Sequence, residues 1–88
     1  MSEAEVEVIN KAGLHARAAS KLAELCAKFE SSIQIGHEKM VDGKSILSLM
    51  MLAAVKGTTL KVVTEGTDEE EALSAILDLI NNRFDEAE

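Results

Sequence analysis

The stretch Asn10–Ser20, NKAGLHARAAS, sets a glycine two residues before a histidine and an arginine two residues after it, at the mouth of an apolar-periodic segment. Upstream, Glu3 to Ile9 alternates, with Val6 and Val8 on one face and Glu5 and Glu7 on the other, so a strand delivers the chain to this loop. Downstream, Ala19, Leu22, Ala23, Cys26 and Phe29 recur at steps of three and four, the stripe of an amphipathic helix. His15 therefore sits where a helix begins. The first N–H groups of a helix have no internal partner and carry the positive end of its dipole, so an anion near His15 gains about 0.3 to 2 kcal/mol. Arg17 adds a permanent cation, and Gly13 lets the loop turn sharply and hold the imidazole outward. The same positive field disfavours imidazolium and leaves a neutral, nucleophilic ring nitrogen. Such an imidazole suits binding a phosphate or carrying one covalently; the competing reading is a histidine that only caps the helix.

Composition bounds the possibilities. A chain of 88 residues makes one domain with one core, residues 1–88. With 16 acidic against 9 basic residues the net charge is -7, which argues against a nucleic-acid partner, since phosphate backbones are gripped by clustered Lys and Arg. Neither a long apolar run nor a signal-like leader is present, so no membrane span is expected and the cytoplasm is the expected compartment. The single cysteine, Cys26, falls on the apolar stripe and reads as a core thiol, with no second ligand nearby at a metal spacing. Neither metal nor cofactor is implied.

The remaining pattern adds one more round of strand and helix. Ile33 to Ile35 alternates, Gly36 to Lys39 reads as a tight turn with His37 as a solvated member, and Met40 with Val41 makes a brief return strand closed by Asp42-Gly43. Ser45 to Lys56 reads as a second helix, with Ser45 as N-cap and Gly57 as C-terminal cap. Ile46, Leu49, Met50 and Ala53 would face the core, leaving Leu47 and Met51 to point away, as a docking surface or as part of a tightly wrapped helix. Thr58 to Thr64 alternates as a fourth strand. Thr67 and Glu70 have the spacing of a capping box for a last helix, lined by Leu73, Ile76, Leu77, Ile80 and Phe84 and followed by a frayed end from Asp85 to Glu88. The order strand, helix, strand, strand, helix, strand, helix packs economically as one antiparallel sheet with helices on a single face.

Four segments together, GLHAR after a strand, GKSILSLMMLA opening the second helix, KGTTLKVVTEG, and the EEEAL start of the third helix, resemble the HPr family of histidine-containing phosphocarrier proteins of the bacterial phosphotransferase system. The resemblance runs from about Val6 to Phe84. It implies an α+β open-faced β-sandwich, a four-stranded antiparallel sheet with three helices on one face in the order βαββαβα. It implies that His15 accepts a phosphoryl group on Nδ1 from phosphorylated enzyme I, charged by phosphoenolpyruvate, and passes it to an enzyme IIA. Arg17 then neutralises phosphate charge, the amides of Ala16, Arg17 and Ala18 sit at the helix start, and Leu47 and Met51 dock partners. The serine matching Ser45 is, in some bacteria, phosphorylated by HPr kinase/phosphorylase. The chain would thus be a monomeric carrier with a covalent phosphohistidine and not a free-standing enzyme.

Two departures from the family pattern concern transfer efficiency. Ala18 stands where the family usually has proline, and Ala12 where many members carry a small polar residue. The ending LINNRFDE is similar to NPr, the nitrogen-related paralogue, while GKSIL is similar to the sugar-transport carriers; the balance tips slightly toward the regulatory branch. Two rival readings are a regulator of HPr fold that binds partners without being phosphorylated, and a small acylphosphatase-like hydrolase. The hydrolase would need an asparagine to position water where the first loop offers His15.

Overall fold

The computed structural model describes residues 1–88. Four strands, β1 (Ser2–Glu7), β2 (Ser32–Gly36), β3 (Met40–Asp42) and β4 (Thr59–Glu65), alternate with three helices, α1 (Ala16–Cys26), α2 (Ile46–Met51) and α3 (Glu69–Asn81). The strands form one antiparallel sheet in the order β1-β4-β2-β3, so the expected βαββαβα arrangement is the observed one. Alternation decides which face is covered. Val6, Leu60, Val62, Ile33 and Ile35 point into the core, while Glu5 lies opposite Lys61 and Gln34 opposite Val63 on the open face.

The covered face is closed by α1, through Ala18, Ala19, Leu22, Ala23 and Cys26, and by α3, through Ala72, Ile76 and Ile80. Cys26 is fully buried, and that burial pushes its thiol up to about 12, which makes it the inert core residue its place on the stripe indicated. Helix α1 stops at Cys26, so Phe29 packs against the core from the loop beyond it and not from the helix.

Three local expectations are corrected. Helix α2 ends at Met51, five residues short of Lys56, and its left-handed terminal residue is Ala53 (φ 51°) in place of Gly57. The chain leaves the helix early because Ala54 is buried and its carbonyl accepts the Leu14 N–H at 2.8 Å, a tertiary bond that a continued helix would forfeit. Only Leu49 of the expected inward stripe is buried; Ile46 and Met50 are as exposed as 42% and 41%.

The Thr67–Glu70 capping box does not form. Instead Glu69 reaches back to the Gly66 N–H at 3.2 Å, and the Asp68 carboxylate accepts from the N–H groups of Glu30 and Ser31, both at 3.0 Å, and from the Ser31 hydroxyl. The turn into β2 is thereby fastened to the start of α3, and the Ser31 hydroxyl above all holds the Asp68 carboxyl below its ordinary value.

The third correction concerns the end of the chain. Phe84 does not continue the α3 stripe; it sits in a one-turn segment, Arg83–Asp85, whose three residues all have left-handed φ angles of 56°, 52° and 65°. Each such residue costs about 1 to 2 kcal/mol. Burying Phe84 completely returns about 1.5 to 3 kcal/mol. The balance comes from hydrogen bonds of about 0.5 to 1.5 kcal/mol each, Lys21 Nζ to the Phe84 carbonyl at 3.0 Å and Asn82 Nδ2 to Asp85 at 2.7 Å. Nor are the residues from Asp85 to Glu88 frayed, because Glu86 bonds to the first loop and the Glu88 carbonyl accepts the Lys11 N–H.

That loop is placed by Gly13, whose φ is +70°. A methyl group there would lie 2.6 Å from the Ala54 carbonyl oxygen. Gly13→Ala is therefore expected to lose more than about 1 kcal/mol of stability in urea unfolding, from backbone strain and from displacement of Ala54.

A second test concerns Glu69, whose carboxyl is held down to about 2 by the Ser2 hydroxyl, the Met1 amino group and the Gly66 N–H. Because the folded value lies below the ordinary 4.5, the contribution is present above that value and is lost as pH falls through the folded one. Glu69→Gln should be less stable than the parent at neutral pH, and the gap between them should close as the solution is acidified toward pH 2.

Candidate functional site

His15 is the N-cap of α1, with extended backbone (φ -81°, ψ -178°), and its carbonyl accepts the Ala19 N–H at 2.8 Å. Its two ring nitrogens have different partners. Nδ1 accepts a hydrogen bond from the Arg17 N–H at 3.2 Å, the side-chain capping geometry usually supplied by Ser, Asp or Asn. Nε2 lies 2.5 Å from Oε2 of Glu86. With Nδ1 accepting from an N–H, the ring proton belongs on Nε2, where the carboxylate receives it. The nitrogen that caps is thus the unprotonated one, its lone pair taken by the Arg17 N–H.

Around this imidazole, the residues singled out from the sequence separate into those on the surface and those behind it. Ala16 and Arg17 are exposed. The Ala16 N–H donates to no protein acceptor, and the Arg17 guanidinium forms no ion pair. Ala18 is completely buried, with its methyl group part of the core, whereas Ala16 and Arg17 at the helix start are exposed. Ala12 is exposed on the loop. The side chain of His15 keeps about a third of its surface in solvent, and no cleft in the molecule encloses it.

Beyond the loop lies an apolar patch. Leu47, Met51 and Val55 are 70%, 74% and 66% exposed, and Ile46 and Met50 contribute their outer edges. The close approach of Gly13 and Leu14 to Ala54 and Val55 sets the patch directly beside the His15 loop. Leu47 and Met51 stand two residues to either side of the buried Leu49, on the opposite face of α2, and so point outward. Ser45 is the N-cap expected of it, half-buried, its Oγ accepting the Ser48 N–H at 3.2 Å. His37 is an exposed member of the β2–β3 turn, with Nε2 3.2 Å from the Leu52 carbonyl.

Two residues at the site were not assigned from the sequence. Asn10 is completely buried; its Nδ2 donates to the Gly13 carbonyl at 2.8 Å and to Oε1 of Glu86 at 3.0 Å, and its Oδ1 has no partner. Glu86 is held on one oxygen by Asn10 and on the other by His15. The hydrogen bond from His15, joined by that from Asn10, keeps its carboxyl below the ordinary value despite partial desolvation. The carboxylate meets the ring at Nε2, on the side opposite the helix start at Nδ1. The signal for Glu86 was faint: an apolar residue, Phe84, with carboxylates on its C-terminal side, one helical step beyond Ile80, so that periodicity concealed the break.

Comparison with known proteins agrees with this arrangement. The family model described as "PTS HPr component phosphorylation site" matches residues 2–82. The phosphocarrier protein HPr of Pseudomonas aeruginosa is 52% identical over the full length of both chains. The phosphocarrier protein NPr of Shewanella violacea is 44% identical, covering 97% of this chain and 94% of its own. Among solved structures, HPr from Thermoanaerobacter tengcongensis superposes with a TM-score of 0.96 at 42% identity over the whole of both chains. The sheet order, the histidine at the start of α1 and these full-length matches agree: the chain belongs to the HPr/NPr family of phosphocarrier proteins.

Proposed function

We propose that His15 takes a phosphoryl group on Nδ1 from phosphorylated enzyme I, whose own phosphate originates in phosphoenolpyruvate, and passes it to an enzyme IIA. The observation that carries this reading is the position of Nδ1, an accepting nitrogen held over the start of α1 by the Arg17 N–H at 3.2 Å. When the Nδ1 lone pair forms the bond to phosphorus, the donor's bond to phosphorus breaks and its electron pair returns to the donor. A phosphoryl oxygen then replaces Nδ1 as acceptor for the Arg17 N–H, with the Ala16 N–H and the guanidinium available to the remaining charge. The open setting of His15 suits a group that must be accepted and given up again.

Docking falls to the adjacent patch. Leu47 and Met51 present adaptable apolar surface next to the reacting nitrogen, so a partner seated there brings its own phosphorylated or acceptor group to His15. Ser45 lies at the edge of that patch. Phosphorylation there by an HPr kinase/phosphorylase adds a charge of about -2 beside an apolar interface and weakens docking. The reaction is one for a monomeric carrier in the cytoplasm, and its chemistry is the same in a sugar-transport or a nitrogen-type regulatory relay.

Incubation with phosphoenolpyruvate and a bacterial enzyme I should add one acid-labile phosphate, seen by intact mass, to the parent and none to His15→Ala. No phosphate on the parent with several sources of enzyme I overturns the reading in favour of a regulator that only binds. Leu47→Glu should unfold at the same urea concentration as the parent but be phosphorylated about tenfold more slowly, the loss of roughly 1 to 2 kcal/mol expected of a central docking residue. Unaltered transfer by that variant would remove Leu47 from the docking surface.

A further inference from the structure

We propose that Glu86 is a positioning residue for phosphoryl transfer, its carboxylate, anchored by Asn10, keeping the proton on Nε2 of His15 and balancing the positive charge that forms on the ring when Nδ1 is phosphorylated. The role rests on the phosphocarrier reading of His15 and extends it to a segment that reaches the site from the far end of the sequence.

Three independent features of the structure converge on Glu86. Its two carboxylate oxygens have separate partners, Oε2 on His15 Nε2 at 2.5 Å and Oε1 on Asn10 Nδ2 at 3.0 Å. Asn10 is completely buried and braced on the Gly13 carbonyl, so the carboxylate is aimed from a fixed point and not from a mobile surface side chain. The chain immediately before Glu86 runs through the left-handed turn Arg83–Asp85, and it is held in that costly conformation by the burial of Phe84 and by Lys21. Backbone strain maintained just ahead of a carboxylate that touches the reacting ring fits a built contact.

The chemistry explains what the contact does. A neutral ring with its proton on Nε2 attacks through Nδ1; the new nitrogen–phosphorus bond uses the Nδ1 lone pair, the bond to the donor breaks toward the donor, and no proton moves. The product ring bears a positive charge with its proton still on Nε2, facing a carboxylate. A nucleophilic histidine whose far nitrogen is held by a carboxylate is a general device for fixing the tautomer and stabilising the cation. The same proton makes the ring a better leaving group in the onward step, because the electron pair of the breaking bond returns to a cationic ring. Other charges around the pair are Arg17 and Lys21 on α1, Lys11 in the loop, paired with Glu88, and Asp85 beside Lys21. All of them remain when Glu86 is changed.

The test compares the parent with E86Q, which keeps the size of the side chain and removes its charge, both labelled with 15N in histidine. Phosphoramidate loads the histidine directly and makes the measurement independent of enzyme I. In the phosphorylated parent the Nε2 proton should dissociate about tenfold less readily than in E86Q. Transfer to an enzyme IIA should be about tenfold slower from E86Q, with E86D, which restores the charge, recovering part of the loss. In the unphosphorylated parent, the Nε2 proton should give a far-downfield signal protected from solvent, a reading that needs no variant. Equal dissociation in parent and E86Q, or an Nε2 proton that exchanges freely in the parent, overturns the role of Glu86. Failure of enzyme I to charge either protein would instead overturn the carrier reading, while the spectra still report on Glu86.

Discussion

The bond from the Leu14 N–H to the Ala54 carbonyl, made possible by the bare backbone of Gly13, is the contact on which the working surface depends. It pins the His15 loop against the chain leaving α2. The chain beyond α2 reaches this bond by leaving the helical path at Ala53, whose φ is 51°. Helix α2 buries Leu49 and turns Leu47 and Met51, on its opposite face, into solvent. One tertiary hydrogen bond thus places an imidazole beside an apolar patch, and the left-handed backbone of Ala53 is the strain accepted for it.

Elements whose signal is periodic were legible before any coordinates. The alternation of Glu3 to Ile9 and of Thr58 to Thr64 marked β1 and β4, and the three-and-four spacing from Ala19 to Cys26 marked α1, because burial of one face imposes those periods directly. His15 at the helix start and Ser45 as N-cap were legible for the same reason, since both are local. What could not be read depended on distant partners. The end of α2 is set by Leu14, the failure of Thr67 to cap by the Asp68 and Glu69 contacts to Ser31 and Ser2, and the order of Asp85 to Glu88 by His15, Asn10 and Lys11. Propensity sees none of these pairings, because each joins residues far apart in the sequence.

The candidate site divides along the same line. Gly13, His15 and Arg17 announce an anion-handling loop through residue type and spacing. The buried position of Ala18 and the approach of Glu86 to the ring are matters of packing, which residue type and spacing do not announce. Cation and carboxylate occupy opposite sides of the imidazole: the helix start, the natural place for an anion, lies at Nδ1, and the carboxylate that balances a cationic ring lies at Nε2.

That division has an energetic consequence for a carrier. Stabilising the phosphate alone, by amides and guanidinium, favours loading but opposes release, so tighter binding on the Nδ1 side cannot improve both halves of the cycle. A charge on the Nε2 side acts on the ring and not on the phosphate. By holding the proton on Nε2 it keeps Nδ1 the attacking nitrogen when phosphorus arrives and lets the ring depart as neutral imidazole, not as imidazolate, when phosphorus leaves, so the same contact serves acceptance and donation alike. The open position of His15 is compatible with this arrangement because the stabilisation comes from a carboxylate fixed behind the ring, and the face turned toward an incoming partner stays uncovered.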